Sequence, residues 1–146
     1  MLLNQPIVME PRRVLKALRI VWAAMLFSLF MYAFVLTRIH ASSNIPPDRR
    51  FQASITLMGI VTGAVVLYLR FVRIAALYSP IEPIDDKTLA RKIWASHVFC
   101  YVFSETTALF GFVLAFMRGG PNFYVPLYLG GVLLMVLCFP RLPEKE

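Results

Sequence analysis

The chain has 146 residues, 59% of them hydrophobic and 16% charged, with a mean hydropathy of +0.68. A soluble domain is roughly half apolar and about a quarter charged, and four uncharged stretches fill more than half of this length, so no separate water-soluble domain fits beside them. The net charge of +7 does not indicate nucleic acid, because the basic residues lie mostly beside apolar segments and no loop interleaves them with aromatics as base-stacking surfaces do.

In chain order, the first eleven residues lack the basic region, short apolar core and small-residue cleavage site of a signal peptide, so the first span is expected to stay in the mature protein. Residues 20–37 are uncharged between Arg19 and Arg38, and residues 51–69 between Arg50 and Arg70. Each approaches the ~20 helical residues that cross a ~30 Å hydrocarbon core. Between them, residues 41–47 form a small polar loop with Pro46-Pro47, and Asp48 is a candidate cap for the second helix.

A longer connection, residues 70–92, contains Ser79-Pro80, Glu82-Pro83 and Asp85-Asp86, and its prolines forbid a continuous helix. Thr88, or Asp85 or Asp86 before it, is the start signal for the third helix. Residues 93–117 are then interrupted only by Glu105, and residues 119–140 close the pattern before Arg141. The fourth helix is expected to begin near Phe123, after the turn formed by Gly119, Gly120, Pro121 and Asn122.

The reading is an all-α, polytopic membrane protein: one membrane domain over residues 1–146, a bundle of four transmembrane helices at about 14–38, 50–76, 88–117 and 123–140. The N-terminal flank, middle loop and tail carry eleven Lys and Arg, against four in the first and third loops. The positive-inside rule therefore puts both termini in the cytoplasm and sends span three outward, in a multi-pass protein assigned to a bacterial inner membrane. A shift of 72 places Arg19, Trp22, Ala23 and Phe27 on Arg91, Trp94, Ala95 and Phe99, and Gly59 on Gly131. If this is a duplicated hairpin, helix one corresponds to helix three.

Glu105 stands thirteen residues after Lys92 and thirteen before Arg118, about 19 Å of helix from either charge. That is the bilayer midplane, where an ionised carboxylate costs a few kcal/mol or more. It must be protonated, paired, or facing a polar interior or a bound cation. Ser104, Thr106 and Thr107 surround it in sequence, and Tyr101 and His97 follow one and two turns back. His97, Tyr101 and Glu105 thus form a polar column, with His97 a candidate proton relay or an ordinary interfacial histidine. The same residues also suit plain hydrogen-bonded helix contact.

Two stripes of small residues recur at helical spacing: Ser104, Ala108, Gly111 and Ala115 on helix three, and Gln52, Thr56, Gly59 and Gly63 on helix two. They predict that these two helices pack against each other. Cys100 and Cys138 lie inside apolar segments, where small buried thiols are expected and a disulfide framework is not. There is no nucleophile elbow, zinc-ligand cluster, Walker loop or dinucleotide fingerprint, so no enzyme, no metal and no organic cofactor is expected.

The run of residues 104–115, Ser-Glu-Thr-Thr-Ala-Leu-Phe-Gly-Phe-Val-Leu-Ala, resembles the ion-carrying helix of the rotor proteolipids, the c subunits of F-type and V-type ATPases. The resemblance implies that Glu105 binds H⁺ or Na⁺, with Thr106 and Thr107 as oxygen donors. The sequence therefore leaves two functional expectations. One is a proteolipid-like protein binding H⁺ or Na⁺ through Glu105, Thr106, Thr107, Ser104 and Tyr101, with no other cofactor. The other is a non-catalytic accessory or scaffold subunit in which Glu105 holds helices together. The expected partners are the lipid bilayer and either further copies or a larger membrane complex, with no nucleic acid.

Overall fold

The computed structural model describes residues 11–38, 48–78, 86–117 and 121–140. Within them the chain forms α1 (Pro11–Arg38), α2 (Arg49–Tyr68), a π-helical turn (Leu69–Ile74) running directly into the short α3 (Ala75–Tyr78), α4 (Asp86–Phe116) and α5 (Pro121–Leu137). The fold is all-helical among the described residues. The four expected helices are α1, α2 with its extension, α4 and α5. By length and composition, three helices among these residues can cross a membrane, Arg13–Arg38, Arg49–Leu77 and Lys87–Phe116, while α5 is a shorter apolar helix.

Local chemistry sets the boundaries. Asp48 caps α2: its Oδ1 accepts from the Arg50 N–H at 3.4 Å, and its carbonyl accepts from the Gln52 N–H at 3.0 Å. α5 starts at Pro121 rather than near Phe123, since a proline's fixed φ and missing N–H suit the first helical position. Helix runs on to Tyr78 and resumes at Asp86, within two residues of the expected bounds at 76 and 88, so most of the stretch between Arg70 and Lys92 is helical. Flanking charges mark where a helix would leave lipid, not where its backbone bonding ends. The proline-rich residues 79–85 themselves lie outside the described residues.

α1 turns a row of residues at three- and four-residue spacing inward, with Val14, Leu18 and Leu29 buried and Trp22 and Met25 packed beside them. Its opposite face carries Phe27 and Phe30, 65% and 63% exposed, so the outside of this helix is as apolar as the inside. α4 lies at the centre, packed on α5, α2 and α1. α5 also touches α1 and α2, but α1 and α2 do not meet each other among the described residues. One side of α4 is thus left open between them. The halves related by the 72-residue shift pack differently, because α4 and α5 are the closest pair of helices whereas α1 and α2 stand apart.

The small-residue stripes do produce close packing, but onto a different partner from the one expected. A Cβ added at Gly131 would lie 2.5 Å from the Ala108 nitrogen, and one at Gly111 would lie 2.6 Å from the Tyr128 nitrogen, so the α4 stripe faces α5. From α2, a Cβ at Gly59 would meet the Leu127 side chain at 2.5 Å and one at Gly63 the Leu134 side chain at 3.5 Å, both again on α5. α2 and α4 do pack together, yet both sets of glycines face the fourth helix. A stripe reports that something comes close, not which element it is.

The last turn of α5 shows how the bundle completes its backbone bonding. The final carbonyls of a helix have no partner within it. Here Leu134 accepts from the Cys138 N–H at 3.0 Å and Val136 from the Phe139 N–H at 3.2 Å. Met135 accepts from the Trp22 indole of α1 at 2.8 Å, and Leu137 accepts from the Arg70 Nε of the π turn at 3.1 Å. Phe139 continues the contact, with its ring edge-on to Trp22 at 5.0 Å and under the Arg19 guanidinium at 5.7 Å.

Candidate polar hub on the central helix

Residues 104–107 place four polar side chains in succession at mid-length of α4. Each step along an α-helix turns about 100°, so four successive side chains point in four directions, and the bundle meets each one differently. Ser104 is buried on the side of α5, donating to the Cys100 carbonyl at 2.7 Å. Glu105 turns to α1. Thr106 donates to the Val102 carbonyl at 2.8 Å on the exposed side, which is the gap between α1 and α2. Thr107 turns to α2, where its hydroxyl meets that of Thr62 at 2.8 Å.

Glu105 is half-buried, and one of its oxygens takes both contacts from α1. Ser28 Oγ lies 2.5 Å from Oε1, and the Tyr32 hydroxyl donates to the same oxygen at 3.1 Å. The Tyr32 ring also packs against Phe112, centroids 5.2 Å apart, one helix level further along α4. Ser28 lies at the same time 2.8 Å from the Met25 carbonyl, and one hydroxyl hydrogen cannot serve both acceptors fully. Either Ser28 shares its hydrogen between the two acceptors while Tyr32 donates to Glu105, or a protonated Glu105 donates to Ser28, which then donates to Met25.

The threonine pair on the other side is constrained in the same way. Thr62 is 2.9 Å from the Gly59 carbonyl and Thr107 is 2.9 Å from the Phe103 carbonyl. With one hydrogen each, one of the two donates across to the other while its neighbour bonds its own backbone. Further toward α5, the Tyr128 hydroxyl donates to the Leu29 carbonyl of α1. A belt of hydroxyls thus joins all four long helices at about one level.

Of the residues singled out from sequence, Glu105 occupies the centre of this belt, but the other candidates do not gather round it. Ser104, Thr106 and Thr107 face three other directions. Tyr101 is fully buried one turn away, its ring edge-on to His97 with centroids 6.2 Å apart. His97 is buried too, and its Nδ1 lies 2.9 Å from the Ile93 carbonyl. A carbonyl only accepts, so this nitrogen carries the hydrogen. Sequence reasoning missed the actual partners, Ser28, Tyr32 and Thr62. Their signal was present as hydroxyls inside otherwise apolar spans, with Ser28 and Tyr32 one helical turn apart.

Compared with known proteins, the chain matches no family model, no curated protein and no solved structure.

Proposed function

We propose that the chain is a non-catalytic, four-span integral membrane protein, with both termini on the cytoplasmic side, in which Glu105 acts as a neutral hydrogen-bonding clasp between α1 and α4. Support for membrane insertion comes from the helix lengths and from an apolar outer surface that water would not tolerate at this extent. The orientation follows from the Lys and Arg bias. The single observation that carries the role of Glu105 is the contact of one carboxyl oxygen with Ser28 and Tyr32 together. A carboxyl at mid-bilayer must find partners, and these two hydroxyls, both on the facing helix, supply them. This is the behaviour of a subunit that holds a membrane assembly in one arrangement.

A second reading is favoured by the Ser28 geometry: the same heavy-atom positions accommodate Glu105 with or without its proton. Of the two ions that the rotor proteolipid resemblance implies, this supports H⁺ over Na⁺. A sodium ion needs several oxygens converging on it, whereas Thr106 and Thr107 bond elsewhere.

The test is dicyclohexylcarbodiimide labelling of the protein in membranes over a range of pH, with and without Na⁺, alongside Glu105→Gln. The clasp predicts that Glu105→Gln, whose amide still donates and accepts, preserves folding and assembly, and that Na⁺ gives no protection from labelling. Proton loading predicts in addition that Glu105→Gln abolishes any proton-dependent activity of the assembled complex while leaving it assembled. Na⁺-protected labelling would overturn both and restore the sodium site.

A further inference from the structure

The two cysteines that sequence alone gave no redox role are brought together by the packing of α4 on α5. Gly131 lies against Ala108, and Gly111 against Tyr128, which fixes the antiparallel register of the two helices. Seven residues, about two helical turns, carry α5 from Gly131 to Cys138. The same distance back along α4 from Ala108 reaches Tyr101, the residue next to Cys100. The side chains agree with the register: both cysteines are fully buried in one core cluster. The Arg70 guanidinium is held at this end of the bundle by its bond to the Leu137 carbonyl, next to Cys138 in the chain.

We propose that Cys100 and Cys138 are a dithiol pair that oxidises reversibly to a disulfide, covalently joining α4 to α5. A disulfide needs Cα atoms about 4.4–6.8 Å apart, a separation that helices packed backbone to backbone provide. The oxidant class is a small uncharged peroxide, hydrogen peroxide being the simplest, which can enter a dry site. Cys138 is the attacking sulfur, because it directly follows Leu137, whose carbonyl holds the Arg70 guanidinium, and a nearby cation favours the thiolate. Its sulfur attacks one peroxide oxygen and the O–O bond breaks, leaving a sulfenic acid and releasing one water. The Cys100 sulfur then attacks the sulfenic sulfur, the S–S bond forms, the S–O bond breaks, and a second water leaves. Two thiol hydrogens and two electrons pass to one peroxide in all. Dithiol reductants reverse the change.

The experiment uses the full chain in detergent micelles. It is treated with graded hydrogen peroxide, quenched, denatured and labelled with a maleimide, then analysed by intact mass and peptide mapping. Exposed Met31 and Met58 report the oxidant delivered, through their sulfoxides. The expected result is joint loss of both maleimide-reactive thiols, a mass lower by two hydrogens apart from methionine oxidation, one peptide linking Cys100 to Cys138, and full recovery with dithiothreitol. Cys100→Ser and Cys138→Ser should each leave one thiol that forms no intrachain link. The proposal is overturned if the cysteines oxidise independently to sulfinic acid, if links form only between chains, or if both thiols persist once Met31 and Met58 are oxidised. Should either serine variant fail to fold, the wild-type measurement decides alone.

Discussion

Ser28 of α1 and Glu105 of α4 meet at 2.5 Å although the serine has a second acceptor, the Met25 carbonyl, at 2.8 Å. In the proposed clasp the carboxyl supplies the hydrogen, and an amide can take over that part. Glu105→Gln is expected to unfold at nearly the wild-type temperature in detergent. Glu105→Ala is expected to lose about 1–2 kcal/mol, since interhelical hydrogen bonds in membranes contribute roughly 0.6 and at most about 1.7 kcal/mol each. A double-mutant cycle with Ser28→Ala should show coupling for Glu105→Ala. Additive effects would sink the clasp.

The glycines of the bundle are predicted to differ sharply from one another. Gly131→Ala and Gly111→Ala push a methyl to within 2.5 and 2.6 Å of backbone nitrogen, which a rigid helix cannot yield. Each should cost about 1–3 kcal/mol, the usual range for overpacking. Gly130 has nothing within 4 Å of the same position, so Gly130→Ala should be neutral or stabilise by roughly 0.5–1 kcal/mol through helix propensity. Thermal unfolding of the three variants in one detergent would check the order, and equal losses at Gly130 and Gly131 would contradict the packing.

Trp22 and Arg70 complete the last turn of α5 from two different helices. Trp22→Phe keeps most of the ring packing but removes the donor, leaving the Met135 carbonyl with one partner fewer. It should cost about 1–3 kcal/mol, the range for a buried group left unsatisfied. Arg70→Gln should cost less, because its bond is at an exposed site. Amide hydrogen exchange around residues 138 and 139 should rise in both variants, and unchanged exchange would show that the cap does not matter.

The proposed orientation also yields a direct measurement. Single cysteines introduced into an otherwise cysteine-free chain at positions 16 and 87 should react with a membrane-impermeant maleimide only after the membrane is opened, when added from outside. One at position 49 should react without opening. The reverse pattern would invert the topology and leave the clasp untouched.

The long apolar helices were legible because Arg19, Arg38, Arg50, Arg70, Lys92 and Arg118 bracket apolar stretches, and Asp48 was legible as a cap because its chemistry is local. Glu105 stood out because a lone carboxylate in an apolar run needs an explanation. Its partners were not legible. Ser104, Thr106 and Thr107 are its neighbours in sequence, and the helical turn alone should have dispersed them, since only residues three or four apart share a face. Ser28 and Tyr32, and likewise Thr62, the partner of Thr107, come from other helices, and nothing local says which helices will meet. The stripe containing Gly59 and Gly63 failed for the same reason: periodicity identified the close face, while the choice of α5 over α4 depended on the whole bundle.

The finishing of α5 bears on the order of biogenesis. Its last two unpaired carbonyls are closed by groups that leave the ribosome earlier, the indole of Trp22 and the guanidinium of Arg70. α5 therefore docks against groups that earlier helices provide, and its docking adds a second tie, beside α4, between α1 and the end of α2.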